Sequence, residues 1–313
     1  MDCVFQMILI LGVTASGKSA VAFELARKIG AEIISIDSMK VYRRMDVGTA
    51  KPSVQRRSQV RYHLIDVVEP YESFSVDRFL ALAYKSIEQI NTACRPVVAV
   101  GGTAMYIKTL LYGLFEGPGA DPEIRKRLKA QIDSQGAAEL HRQLADVDSE
   151  AAYRIHPNDT RRIVRAMEIF ELTGKPISSF QTQFEARRKR EDWKIIGLRR
   201  EKSVESLRIN ARVKRMIKDG LVDEVKSLLA EDRPLSRQAR CAIGYAEIID
   251  YLNGEITLEK AVEKIKINTR RLAKAQRTWF KTFRRVNWLD INSAESTADI
   301  LERVTALAEQ GDK

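Results

Sequence analysis

The run Gly12-Val13-Thr14-Ala15-Ser16-Gly17-Lys18-Ser19 constrains this chain more than any other segment, because it fits GxxxxGK[ST] between a strand pattern and a helix pattern. Residues 7–11 are continuously apolar, as in a buried strand. Residues 19–29 carry Val21, Ala22, Leu25, Ala26 and Ile29 at helical spacing. A strand, a glycine-bearing turn and a helix N-terminus, in that order, aim successive backbone N–H groups at a phosphate, and the helix dipole adds to the field. Lys18 adds a cation and Ser19 a hydroxyl oxygen suited to Mg2+. Residues 12–19 are therefore expected to bind phosphate, with Ser19 as the magnesium ligand.

The rest of the first third alternates strand and helix. Ile33, Ile34 and Ile36 form a second buried strand that ends at Asp37, residues 76–90 are helical, and residues 97–100 form a third strand running into Gly101-Gly102. Such alternation of β-branched runs with amphipathic helices predicts a parallel sheet covered on both faces. After about residue 120 helical periodicity takes over, in residues 122–133, 161–172, 204–229 and 258–283, with Gly220 interrupting the third. One late strand, residues 193–198, is expected to rejoin the sheet. The fold class is thus α/β, a core like that of the P-loop nucleoside triphosphatases plus a mostly helical insertion. The core spans residues 1–120 and about 190–313, and the insertion about 121–189.

Composition sharpens the partner. The net charge of +11 is uneven, with 19 Lys and Arg against 18 Asp and Glu in residues 1–150 but 34 against 24 in residues 151–313. A basic half suits a polyanion such as a nucleic acid, and equally a solvated helical surface. No apolar run reaches the roughly 20 residues of a membrane span, and residues 1–11 read as a buried strand rather than a secretory signal. Cys3, Cys94 and Cys241 are widely spaced, as are His63, His141 and His156, so neither a disulfide framework nor a His/Cys metal site is expected. These features point to a cytoplasmic protein with no membrane association, expected to act as a monomer.

The loop does not say which phosphorylated compound it holds. A nucleotide hydrolase places a metal-binding Asp at the end of a neighbouring strand, yet the strand at 97–100 ends in Gly101-Gly102-Thr103. The strand that delivers a carboxylate ends at Asp37, which suits a metal ligand, a general base or merely the cap of the next turn.

Several blocks together resemble the tRNA dimethylallyltransferases, the tRNA isopentenyltransferase family. They are GVTASGKS at 12–19, IDSMKVYRRMDVGTAKP at 36–52, HLID at 63–66, VGGTAMY at 100–106, RIHPNDTRRIVRAMEIFELTGKP at 154–176, AIGY at 242–245 and TRRLAKAQRTW at 269–279. They run in order along nearly the whole chain. The resemblance implies transfer of a dimethylallyl group from its diphosphate to N6 of the adenosine just 3′ of the anticodon. It makes Gly12, Val13, Thr14, Ala15, Ser16, Gly17, Lys18 and Ser19 the diphosphate site, with Mg2+ as cofactor. Asp37 becomes the base, and Thr103 and Arg212 catalytic residues at the donor. The tRNA contacts implied are Asp37, Ser38, Met39, Lys40, Thr103, Arg125, Arg161, Arg162, Ile163, Val164, Arg165, Cys241, Ala242, Ile243, Gly244, Tyr245 and Ala246. In the basic run Arg270, Arg271, Lys274, Arg277, Lys281, Arg284 and Arg285, the aromatics Trp279 and Phe280 read as core.

The chain departs from the family pattern at Val13 (usually Pro), Lys40 and Cys241 (commonly Gln) and Arg44 (commonly Gly). It lacks the trailing zinc finger of some eukaryotic members, as a bacterial-type enzyme would. A small-molecule kinase would share the loop and the α/β core but leaves the basic half unexplained. An adenylate isopentenyltransferase needs no RNA surface, and a non-catalytic RNA binder needs neither Lys18 and Ser19 nor Asp37.

Overall fold

The strand signals all belong to one sheet. In the computed structural model, which describes residues 7–114, 117–180 and 193–310, the strands are β1 (Met7–Gly12), β2 (Glu32–Ile36), β3 (Tyr62–His63), β4 (Val97–Gly101), β5 (Trp193–Arg200) and β6 (Asn287–Ile291). They run parallel in the order β3-β2-β4-β1-β5-β6. β1, β2 and β4 are buried along their whole length, which is why they read as unbroken apolar runs. The late strand β5 does rejoin the sheet, beside β1. The start of the expected first strand, with Cys3, lies outside the described residues.

Helices cover both faces. On one, α1 (Lys18–Ile29) and α15 (Thr297–Glu309) pack Leu25, Ile300 and Val304 against Ile8, Ile10, Val98 and Ile196. On the other, α3 (Val76–Thr92) lies against β2 and β4, and α14 (Leu258–Phe280) against β1. Short α2 (Val54–Gln59) and α4 (Ala104–Tyr112) follow β2 and β4, and α10 (Lys202–Lys218) follows β5. The pattern over 204–229 is broken as its glycine foretold, with Gly220 at φ 96° separating α10 from α11 (Leu221–Leu229). β6 and α15 escaped the sequence reading because an edge strand buries little, and only Leu289 and Ile291 of β6 lie in the core.

By its internal contacts the chain separates into two compact units, Met1–Leu111 with Glu191–Lys313, and Tyr112–Arg190. The smaller is helical throughout its described part: α5 (Pro122–Gln135), α6 (Ala137–Val147), α7 (Ser149–Arg154), α8 (Thr160–Thr173) and α9 (Ile177–Phe180). Asp121 caps α5 by accepting the Glu123 and Ile124 N–H groups, with Pro122 at the first helical position. Its core joins Leu128, Leu140, Leu144, Ile163, Met167 and Ile169. Among the described residues no helix is long and apolar enough to cross a membrane.

One glycine sets how closely the central strands approach. A Cβ on Gly101 would stand 2.0 Å from the Ile36 carbonyl oxygen, a backbone atom with no room to give. Gly101→Ala is expected to lower the unfolding free energy by about 2 kcal/mol or more. Gly119→Ala, where a Cβ meets nothing within 4 Å, is expected to stay within about 0.5 kcal/mol of the parent. Urea unfolding of the two variants checks both.

Candidate active site

Three strands deliver their C-terminal ends to one cavity of about 710 Å³. β1 leads into the phosphate loop, β2 into Asp37 and β4 into Gly102-Thr103, so the site forms where ligands bind in open parallel sheets. The lining includes Thr14, Lys18 and Ser19 from the loop, Asp37 to Lys40, Thr103, Arg212 from α10, and Cys241 to Ile243.

The phosphate loop is held open from behind. Ala15 and Gly17 take left-handed φ values of 63° and 100°, conformations that cost a non-glycine residue roughly 1 kcal/mol or more. Arg208 Nε donates to the Ala15 carbonyl at 2.8 Å, and buried Arg200 Nε to the Ser16 carbonyl at 3.0 Å. Within a trans peptide the C=O and N–H point opposite ways, so anchoring the Ser16 carbonyl on Arg200 turns the Gly17 N–H the other way. The Lys18 and Ser19 N–H groups, which precede the first bond of α1 from Ala20 N–H to the Gly17 carbonyl, join it.

Positive charge is concentrated here. Lys18 Nζ donates to Val13 O at 3.0 Å. Burial of its ammonium and the nearby charges of Lys40 and Arg212, against the pull of Asp37, bring its pKa from 10.5 to about 7. Burial also lowers the pKa of Lys40, with Asp37 opposing. Arg212 Nη1 donates to Thr14 Oγ1 at 3.3 Å.

Asp37 is both a cap and a site residue. Its Oδ1 accepts the N–H groups of Met39 at 2.9 Å and Lys40 at 3.2 Å, which fixes the carboxylate. Among the described residues its Oδ2 takes no hydrogen bond, leaving one oxygen for chemistry. Thr103 Oγ1 accepts the Ser38 N–H at 3.1 Å and ties the β4 end to the β2 end. Among the described residues no three His, Cys, Asp or Glu side chains group so as to hold a metal. The residues that could hold a Mg2+ ion are then the Ser19 hydroxyl and the Asp37 carboxylate, both on the cavity wall.

Three supporting residues escaped the sequence reading. Buried Lys51 Nζ donates to Tyr42 O at 2.5 Å, Asp46 Oδ1 at 2.6 Å and Asp66 Oδ1 at 2.6 Å, joining the segment after β2 to the segment after β3. Glu224 of α11 accepts the N–H groups of Asp46, Val47 and Gly48 at 2.7 to 3.1 Å and the Tyr245 hydroxyl at 2.5 Å. Gln276 of α14 touches both the phosphate loop and Gly102. Lys51 lies in a quoted motif, but only the fold shows what it joins. Glu224 and Gln276 sit on helices with nothing local to mark them.

The segments read as RNA contacts divide. Ser38, Met39, Lys40, Cys241, Ala242 and Ile243 line the cavity. Tyr245 also lines it while being fully buried from solvent, and burial together with the Glu224 carboxylate pushes its phenol up. Its ring is why residue 48 is glycine, since a Cβ there would stand 2.4 Å from the ring. Gly244, at φ 98°, begins the helix α13 (Tyr245–Leu252), in which Ala246 lies. Trp279, read as core, lines the cavity instead, with Lys108 Nζ 6.0 Å from its ring centre, whereas Phe280 is core.

In the helical unit Arg161 and Arg162 are exposed, Arg162 beside Asp159 at 3.3 Å, while the side chains of Ile163 and Val164 belong to the core. Arg125 and Arg165 converge on the buried Glu168, at 2.8 and 2.6 Å. Burial alone would raise that carboxyl, and the two arginines outweigh it and hold it low. Arg165 also binds the Pro118 and Gly119 carbonyls.

Fold and cavity together define a phosphate-loop α/β protein that sets a carboxylate and an arginine across from the loop. Residues 40–283 match the family model described as IPP transferase. A tRNA dimethylallyltransferase of Geobacter metallireducens is 45% identical over 91% of this chain and 92% of its own, and one of Caldanaerobacter subterraneus is 41% identical over 96% of each. The chain belongs to the IPP transferase family. Among solved structures, the full-length tRNA isopentenylpyrophosphate transferase of Bacillus halodurans is similar at a TM-score of 0.70, 38% identity and 97% coverage of both chains. A eukaryotic dimethylallyltransferase acting on tRNA is similar at a TM-score of 0.78 and 26% identity, over 96% of this chain and 78% of that one.

The like-charged cluster has a measurable consequence. With a pKa of about 7, Lys18 is charged below that pH and loses its proton as pH rises through it. A bound polyanion favours the ammonium and raises the value again. At about pH 8.5, binding of inorganic diphosphate is expected to take up nearly one proton more in the parent than in Lys18→Met. Calorimetry in buffers of different ionisation enthalpy reads the difference.

Proposed function

We propose that this chain transfers a dimethylallyl group from dimethylallyl diphosphate to N6 of the adenosine just 3′ of the anticodon in tRNA, releasing diphosphate. The observation that carries this reading is that Asp37 and the phosphate loop open on one cavity, while the strand end where a nucleotide hydrolase keeps its metal carboxylate is Gly101-Gly102. The loop then serves a leaving group, and carbon rather than phosphorus is transferred.

The steps follow from the residues. Residues 12–19 and Arg212 hold the diphosphate, and their positive field stabilises the charge that grows as the C–O bond breaks and its electron pair passes to the diphosphate oxygen. Ser19 would hold Mg2+, which would supply further charge stabilisation to the leaving diphosphate. N6 attacks the allylic carbon and loses a proton to Asp37 Oδ2, while the bonds from Met39 and Lys40 keep that carboxylate in place. A stacked adenine cannot reach this cavity, so the base is turned out of the anticodon loop to enter past residues 38–40 and 241–243. Exposed Arg161 and Arg162 suit RNA phosphates. Arg125 and Arg165 contribute by fixing the loop before α5 through Glu168. The enzyme acts in the cytoplasm as a monomer.

Purified protein with dimethylallyl diphosphate, Mg2+ and unmodified tRNA is expected to yield prenylated adenosine, read by nucleoside analysis; equal transfer to free AMP would sink the tRNA reading. Asp37→Asn is expected to lower turnover by roughly 100-fold or more with tRNA affinity within about threefold, since it keeps the cap. Affinity for tRNA should fall steeply with salt as phosphate contacts release counterions, and a flat response would remove the basic half from the interface.

A further inference from the structure

We propose that Gln276 is a positioning residue that sets the distance between the diphosphate loop and the base-bearing strand end. This inference rests on the prenyl-transfer reading of the site. Gln276 is 8% exposed and sits on the inward face of α14, between buried Ala273 and Phe280, in a stretch otherwise rich in arginine and lysine. Its Oε1 accepts the Thr14 N–H at 2.8 Å, and its Nε2 donates to the Gly102 carbonyl at 2.9 Å. The two partners dictate the amide's orientation, because an N–H needs an acceptor and a carbonyl needs a donor. A carboxylate offers no donor, lysine and arginine offer no acceptor, and an aliphatic chain offers neither.

Each end of this bridge continues into the site. On the donor side Thr14 takes the Arg212 guanidinium on its hydroxyl. On the other side Gly102 precedes Thr103, whose hydroxyl takes the N–H of Ser38, the residue after Asp37. One amide therefore lies between the groups that hold the leaving diphosphate and the turn that holds the base. β1 and β4 are already paired, but their register ends at Leu11 and Gly101, and beyond them the two loops are joined by this side chain. The fit is close, for a Cβ on Gly102 would stand 2.5 Å from Gln276 Nε2. A misplacement of about 1 Å between reacting groups costs on the order of 100-fold in rate, and it does so without removing any contact to either substrate.

The test is single-turnover prenylation of tRNA, alongside direct measurement of tRNA and diphosphate affinity and thermal melting. Gln276→Glu keeps size and acceptor and lacks the donor. It is expected to lower the single-turnover rate constant by roughly 10- to 100-fold while both affinities stay within about threefold of the parent. A second, independent arm uses Gln276→Ala, Gly102→Ala and the double variant. Gly102→Ala displaces the amide and should slow the reaction, whereas in the Gln276→Ala background the added methyl has space and should cost little more. Losses that multiply in the double variant would overturn the bridge. So would a parent-like rate constant in a folded Gln276→Glu, or a loss confined to affinity. A parent protein that fails to prenylate tRNA refutes the reading of the site, an outcome distinct from normal turnover by the variants.

Discussion

Lys18, Lys40 and Arg212 face one cavity with Asp37 as the carboxylate among them, and much of the surrounding structure serves to hold that charge in place. Gathering cations costs free energy unless an anion offsets them, and burial raises the cost. The low pKa of Lys18 expresses that cost in the free protein. A diphosphate reverses the balance, since two phosphates carry enough charge to satisfy the three cations and the loop amides together. On the proposed prenyl-transfer reading, binding energy is thereby concentrated where negative charge would develop during departure of the diphosphate, which is where it accelerates a reaction.

Support for this arrangement comes from groups behind the cavity wall. Arg200 and Arg208 bind carbonyls of the phosphate loop, Glu224 gathers three N–H groups of the 46–48 loop, and Lys51 bridges the segments after β2 and β3. A carboxylate filling three backbone amides, or an ammonium filling three oxygens, satisfies polar groups at a partly buried cavity wall. These are charge-assisted bonds, shorter and stronger than neutral ones.

The phosphate loop, the Asp37 strand end and the GGT turn were legible in the sequence because their local patterns are tied to backbone conformation. The parallel α/β core was legible because strands buried on both faces carry uninterrupted apolar runs. Gln276 and Glu224 were not, because their partners lie 262 and up to 178 residues away. Helical periodicity says only that Gln276 faces inward. The same limit explains Ile163 and Val164, which sit between Arg162 and Arg165 in sequence and in the core in space. Trp279 fails in the other direction, its helical spacing with Phe283 suggesting core while the side chain forms part of the cavity wall.

Arg44 shows how a family departure can be physically absorbed. Its φ of 60° lies in the region where glycine is favoured, which accounts for the glycine that many relatives carry. Arginine keeps the same backbone, and its guanidinium bridges Glu69 at 2.6 Å and Glu231 at 2.8 Å. The strain is on the order of 1 kcal/mol, comparable to what a half-exposed two-carboxylate network returns. Glu231 lies just beyond α11, the helix that carries Glu224. Arg44 therefore pins the loop ahead of the Glu224 contacts to the segment just after that helix, and the chain leading to the cavity wall at residues 48–53 is held both on α11 and beyond its C-terminal end.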